Sequence, residues 1–446
     1  MTDTIFALAT APGRSAVAVL RLSGPGARSV LEAIATAVPR PRRATVRTLR
    51  AADGGALDQA LVLWFPAPHS YTGEDCAELH VHGGAGVIDA VTAAVLEAGP
   101  RLARPGEFTR RAFENGKLGL DQAEAVADLI EAESQAQARQ AVHQLRGALG
   151  LRYEGWRSAL VDALAFLEAA VDFADEDLPT DVAPRAGGPL RHILADLDVA
   201  LADAARGRQV RDGYRVAIIG APNSGKSSLF NALVGRDAAI VTPIAGATRD
   251  VIEASLTMND YQVVVADMAG LRDTVEPVEA EGVRRARAWA SSADLRLWIV
   301  DRSARDGAWR QAAPLAEPGD LCLLNKADLP AGADGEAAAR AAGALGAQVL
   351  TISLISPGFM SIAEPLASRL ARDLAGSEFP AATRVRHERL LRDARGHISR
   401  ALKGLQEPEL AAEDTRLAIR ALSRVTGAVG TEDILDRVFA SFCIGK

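Results

Sequence analysis

Residues 215–233 read RVAIIGAPNSGKSSLFNAL. An apolar β-branched run ends in glycine, a polar Gly-rich stretch follows, and a helical run begins at once. Gly220-x-x-x-x-Gly225-Lys226-Ser227 fits a phosphate-binding loop in the strand–loop–helix context that such a loop requires. In that geometry the backbone N–H groups of the loop and the helix N-terminus cradle phosphates. Lys226 neutralises the β- and γ-phosphate oxygens, Ser227 ligates Mg²⁺, and Asn223, Ser224, Gly225 and Ser228 complete the contact set. The loop also dictates its surroundings. From 214 to about 375, the runs RVAIIG, QVVVAD, LRLWIVD, DLCLLNKAD and AQVLTIS alternate with helical stretches. That alternation predicts a largely parallel, doubly wound sheet.

Three further stretches name the nucleotide. Asp267-Met-Ala-Gly270 ends a strand run, placing Asp267 to hold Mg²⁺ and the Gly270 N–H to meet a γ-phosphate. Asn325-Lys326-Ala-Asp328 ends another. A carboxylate at Asp328 accepts both N–H groups of the guanine Watson–Crick edge, and adenine offers no such pair, so the expected ligand is GTP. Gly246-Ala-Thr248-Arg-Asp250 precedes the second strand and places Thr248 to sense γ-phosphate and Mg²⁺. TISLIS around Ser353 is a weak match to a loop closing over the base. After the Asp267 motif stands Leu271, which cannot orient a water. Arg249 and Arg272 could supply charge in cis, or be plain surface arginines.

Outside this unit the patterning changes. Residues 1–118 mix strand runs (TIFALAT, SAVAVLRLS, ALVLWFPA, DCAELHVHGG) with a helix, GVIDAVTAAVLEAG, and read as an α+β domain. Residues 119–212 and 377–446 carry Pro-poor helical periodicity, broken at 179–189, with no strands for these helices to cover. The expected fold class is multidomain: an N-terminal α+β domain, a discontinuous all-α domain, and an inserted α/β P-loop domain over 213–376.

Formal net charge is −7, which disfavours a broadly basic nucleic-acid binder and leaves contact local or shared with a partner. Three scattered cysteines give no disulfide framework and point to a reducing, cytoplasmic setting. No apolar run is long enough to span a membrane. His80 and His82 share a strand face but lack a further ligand of fitting spacing, and DFADEDLP at 172–179 reads as a solvated helix end. The ending Ser441-Phe-Cys-Ile-Gly-Lys446 puts Cys443 where a prenylated cysteine would stand. One aliphatic residue, a terminal lysine and an acidic flank argue against lipid. Cys443 is then either a packing residue or part of a chemical site to which the tail returns.

These stretches resemble the MnmE (TrmE) family of tRNA-modification GTPases along the whole chain. The carriers are GAPNSGKSS, DAAIVTPIAGATRD, DMAGLRDTVEPVEAEG, NKAD, GEDCAELHVHGG, ARPGEFTRRAFENGKLGLDQAEAVADLI and the tail DRVFASFCIGK. The resemblance implies K⁺ in place of an arginine finger, held by the Asn223 side chain and the carbonyls of Thr242, Ile244 and Ala247. It implies that Glu279 orients the attacking water through a second water, with Glu281 as a competitor. Two positions depart from the family: Ala247 and Met268 stand where threonine is usual, the latter expected to set a bulky side chain beside the γ-phosphate loop. For the N-terminal domain the resemblance implies a folate-binding fold taking a 5-formyl or 5,10-methylene tetrahydrofolate, with Arg21, Glu78, Lys117 and Lys446 as contacts and Cys443 near the chemistry. It further implies a homodimer and a flavoprotein partner, MnmG, which holds FAD and joins in a heterotetramer or larger complex. Together they would install a carboxymethylaminomethyl-type group at C5 of the wobble uridine of tRNA. The rival readings are a GTP-controlled RNA or ribosome assembly factor, for which no appended basic domain is visible, and a folate-sensing switch.

Overall fold

The computed structural model describes residues 3–172, 182–237, 252–268, 277–355, 360–376 and 379–427, together with Leu435, Val438, Phe439, Phe442 and Gly445. The chain forms two compact units, Met1–Ala127 with Gln144–Ile193 and Asp393–Lys446, and Asp128–His143 with Leu194–Arg392.

The first unit is built on six strands: β1 (Ile5–Leu8), β2 (Ser15–Ser23), β3 (Thr45–Arg50), β4 (Ala56–Phe65), β5 (Cys76–Gly83) and β6 (Arg101–Leu102). Their order is β3-β4-β5-β2-β1-β6, antiparallel except for the β1–β6 pair. Strand periodicity sorts the side chains. Ala18, Leu20 and Leu22 of β2 and Ala77, Leu79 and Val81 of β5 face a core sealed by helices Ala27–Ile34 and Ala85–Glu97 through Leu31, Ile34, Val91 and Val95. Each of the leucines, isoleucine and valines among them contributes about 1.5–3 kcal/mol by leaving water. The intervening residues Arg21, Glu78 and His80 are consigned to the other face. Helix Glu107–Glu114 carries a buried Arg111, neutralised by Glu74, Glu107 and Asp3.

Helix Ala148–Asp172 buries Tyr153, Trp156, Leu160, Ala163 and Leu167, and lies along helix Pro408–Thr426, which offers Ala411, Ala418, Leu422 and Val425. The small residues on the second helix let the backbones approach. Arg416 and Glu168 join them at 3.0 Å. Leu435, Phe439 and Phe442 pack with Leu120 and Ala123. Two glycines are required by this return of the chain. A Cβ at Gly106 (φ 65°) would stand 2.8 Å from the Phe439 carbonyl oxygen, and one at Gly445 (φ 99°) 2.2 Å from that of Leu8.

The second unit holds β7 (Tyr214–Gly220), β8 (Ile252–Met258), β9 (Tyr261–Asp267), β10 (Leu295–Asp301), β11 (Leu321–Asn325) and β12 (Gln348–Thr351). The order is β12-β11-β10-β7-β9-β8, parallel except for β8. Helices Lys226–Asp237 and Met360–Asp373 cover one face through Leu229, Leu233, Ile362 and Leu366. Helices Pro277–Ser292 and Ala333–Leu345 cover the other through Ala286, Ala290, Ala338 and Ala342.

The helical runs differ from the expectation in two ways. The stretch from 119 divides into Leu120–Glu131 and Gln135–Leu145 before Ala148–Asp172, while helices Val182–Arg185 and Gly187–Ala202 occupy much of the expected 179–189 break. Helices near the sheet do cover strands: Ala136 and Val210 belong to the apolar cluster with Tyr214, Val216 and Val263. Polar bonds fix this contact. Gln137 Nε2 donates to the Arg211 carbonyl at 2.9 Å and to Gln262 Oε1 at 2.5 Å, and the Ala136 N–H donates to the Asp260 carbonyl at 3.1 Å.

Candidate functional site

The phosphate loop leaves β7 where the sheet's chain order reverses: β10 lies on one side of β7 and β9 on the other. Ligands of open α/β sheets bind at such a point. Gly220 is needed for close packing, since a Cβ there would meet the Ile299 carbonyl oxygen at 2.4 Å. Asn223 (φ 62°) and Gly225 (φ 110°) turn the loop through left-handed backbone. Lys226 is buried to 9% exposure, with Nζ donating to the Ala221 carbonyl at 3.0 Å. Burial pulls its pKa down, opposed by the nearby Asp267 charge.

Ser227 Oγ donates to Asp267 Oδ2 at 2.7 Å. The other carboxylate oxygen, Oδ1, is buried and has no hydrogen-bond partner among the described residues. A hydroxyl and a carboxylate converging with an unsatisfied hard oxygen fit Mg²⁺, which prefers oxygen ligands and retains several waters. Ser224 Oγ is also buried without a partner among the described residues.

At the end of β11, Asn325 Nδ2 donates to the Ser224 carbonyl at 2.8 Å, so it braces the phosphate loop. Gly225 must be glycine here, because a Cβ would stand 2.3 Å from that Nδ2. Lys326 adopts φ 64°, and its Nζ pairs with Asp301 Oδ2 at 2.5 Å. Burial alone would raise the Asp301 carboxyl, but Lys326 and Ser303 bring it below its ordinary value. Ser353 Oγ donates to Asp328 Oδ1 at 2.5 Å and lowers that carboxyl's pKa, keeping it ionised and oriented. The serine of the weak TISLIS match thus sits on the Asp328 carboxylate. Asp301 escaped the sequence reading, although its place at the end of the run LRLWIVD was visible; its pairing opposite Asn325 comes from the β10–β11 register.

Met268 corrects an expectation. Its side chain is wholly buried in the apolar cluster with Ala217, Ile219 and Trp298, so it fills core and does not project beside the γ-phosphate loop. Glu279 and Glu281 lie on helix Pro277–Ser292, with their side chains outside the described set. Thr242, Ile244, Ala247, Thr248, Arg249, Gly270, Leu271, Arg272, Cys443, Lys446 and the acidic stretch 173–179 lie outside the described residues.

On the open face of the first sheet, register places Arg21 opposite Ala7 and Glu78. Arg21 Nη2 lies 3.0 Å from Glu78 Oε1, while His80 Nε2 lies 3.1 Å from Glu78 Oε2. The guanidinium sits 5.6 Å from the Tyr71 ring centre and 5.9 Å from that of Phe108. A charged pair between aromatic rings suits a flat, polar-edged heterocycle. Gly445 reaches the Leu8 carbonyl, one residue along β1 from Ala7. Lys117 lies on a neighbouring loop, its Nζ donating to the Pro68 carbonyl at 3.0 Å. His82 pairs with Asp58 at 2.7 Å, and no group of three or more His, Cys, Asp or Glu among the described residues could hold a metal. No helix among the described residues is long and apolar enough to cross a membrane.

A loop shaped for phosphates and a carboxylate held to read guanine leave one class open, and the second unit is that of a P-loop GTPase. The family models narrow it: "MnmE helical domain" matches residues 120–443, and "GTP-binding protein TrmE N-terminus" matches 4–117. The chain belongs to the MnmE/TrmE family. It is 56% identical over 447 residues to the tRNA modification GTPase MnmE of Phenylobacterium zucineum and 57% identical over 452 to that of Caulobacter vibrioides, each covering 100% of both chains. The corresponding protein of Maricaulis maris is 48% identical, again over the full length of both.

Proposed function

We propose that this chain is the K⁺-dependent, GTP-hydrolysing subunit of a cytoplasmic tRNA-modification complex. It adds a carboxymethylaminomethyl-type group to C5 of the wobble uridine, as a homodimer joined by its N-terminal domains, with the flavoprotein MnmG supplying FAD. The observation that carries this reading is the Asn325 side chain, which locks the guanine-reading strand end to the phosphate loop, on a chain matched end to end by tRNA modification GTPases. Lys226 holds the phosphate oxygens. Ser227, Asp267 and Thr248 hold Mg²⁺ or its waters. Asn223, with the carbonyls of Thr242, Ile244 and Ala247, holds K⁺, which supplies positive charge where an arginine finger otherwise would. Glu279 holds the attacking water in line through a second water. Arg21, Glu78, Lys117 and Lys446 hold the one-carbon tetrahydrofolate, with Cys443 beside it.

Nucleoside mass spectrometry of bulk tRNA tests the pathway. Cells lacking the protein should lose the C5-modified uridine, and restoring it should return the signal. Unchanged uridine in both would reject the reading. Cys443→Ser in the restored strain reports whether the tail takes part in the chemistry. The cation proposal has its own test: GTP turnover in Na⁺ should fall at least about tenfold below that in K⁺. Equal rates in the two salts would remove Asn223 from a cation site.

A further inference from the structure

Residues 40–50 read RPRRATVRTLR, five arginines in a chain of net charge −7. They line β3, the edge strand of the first sheet, and the turn that leads into it. Arg40, Arg42, Arg43 and Arg50 are exposed and Arg47 is half-buried. None of the five has a carboxylate within ion-pair distance among the described residues. Other arginines of this unit are handled differently: Arg110 pairs with Glu114, Arg111 with Glu74 and Glu107, and Arg400 with Asp414.

The turn is built to hold its charges. Its Arg42 N–H donates to the Trp64 carbonyl at 2.8 Å, and the Arg43 N–H to the Arg40 carbonyl at 3.2 Å. The Arg42 guanidinium donates to the His69 carbonyl at 2.5 Å, next to the Pro68 carbonyl that receives Lys117 Nζ. Arg42 and Lys117 therefore clasp one loop, and that loop carries Tyr71, whose ring centre lies 5.6 Å from the Arg21 guanidinium. Charge on an edge strand also prevents unwanted strand pairing. That role needs a charge or two within the strand, whereas three of these arginines precede it.

We propose that the 40–50 edge is an RNA-binding surface that grips the phosphodiester backbone of tRNA. This rests on the tRNA-modification reading above. Exposed guanidiniums with no carboxylate partner take phosphate oxygens bidentately and release counterions, without reading bases. The surface thereby leads the polyanion toward the candidate one-carbon site.

The test is binding of an unmodified tRNA transcript to the full chain across a series of salt concentrations. The probe variant is Arg40→Ala/Arg42→Ala/Arg43→Ala, with the single Arg43→Glu as a second variant that breaks no backbone tie. The control is Arg340→Ala, an exposed arginine beside Glu336 in the other unit. We expect the triple variant to bind at least about tenfold more weakly, with a log–log salt slope shallower by about two to three. Arg43→Glu should weaken binding in the same direction, the control should not, and GTP turnover should stay unchanged in all three. Equal affinity and slope in wild type and both edge variants would overturn the surface while leaving the tRNA reading intact. So would an equal loss in the control. Absence of tRNA binding by the wild type would overturn the surface, and an unchanged uridine profile in the deletion strain would separately reject the pathway.

Discussion

Lys226→Ala should lower kcat/KM for GTP by about 10²–10⁴-fold, the scale set by removing one partner of a desolvated charge pair. Lys226 is buried, and its Nζ already lies on the Ala221 carbonyl, so the site holds a cation in place before nucleotide arrives. No other lysine or arginine stands in the loop from 220 to 228 to replace it. Steady-state turnover with nucleotide titration checks this. A change of less than about threefold would mean that phosphate recognition rests on the backbone alone. Circular dichroism of the variant should match wild type, because the bonds that hold the loop, from Ser224 N–H to the Ala221 carbonyl, from Leu229 N–H to the Gly225 carbonyl and from Asn325 to the Ser224 carbonyl, do not involve the Lys226 side chain.

Asp328→Asn should exchange the base preference. The carboxylate is ionised and oriented by Ser353, and under the proposed function it would accept two N–H groups from guanine. An amide offers one acceptor and one donor, and the donor confronts a guanine N–H. Affinity for GTP should fall by at least about 10²-fold, as expected when a site built for a hydrogen bond meets a mismatched partner. Xanthosine triphosphate, which carries a carbonyl where guanine has its amino group, should gain by a similar factor. Competition binding with the two nucleotides reads both changes. Parallel loss of both would mean that Asp328 supports the fold of its loop and does not read the base.

Much of this was legible because it is local. The phosphate loop, the Asp267 motif and the Asn325 motif are contiguous residues whose chemistry depends on immediate neighbours. Strands β1, β2, β4 and β5 announced themselves by apolar runs. Strand β3 did not: TVRTLR lies at an edge, with two arginines and two threonines among six residues, so its hydrophobic signal is weak. The edge strand β8, IEASLTM, was missed for the same reason. The direction of Met268 was misread because a residue at a strand end can face either layer, and only packing decides. The bond from Asn325 to Ser224 links residues far apart in sequence, and no spacing rule contains it. Likewise, helix Pro408–Thr426 lay within a visible helical run, but its partner helix, Ala148–Asp172, lies before the inserted sheet.

Strand β9 has Asp267 at one end and Gln262 near the other, five residues or roughly 16 Å apart. It is hydrogen-bonded along both edges, to β7 and β8. A strand so held cannot shift without breaking backbone hydrogen bonds to two neighbours. At the far end Gln262 accepts from Gln137 at 2.5 Å and donates to Glu133 at 2.6 Å. The helix that begins at Gln135 is thereby tied to the same strand that carries Asp267, and the two ends of β9 are held in one register.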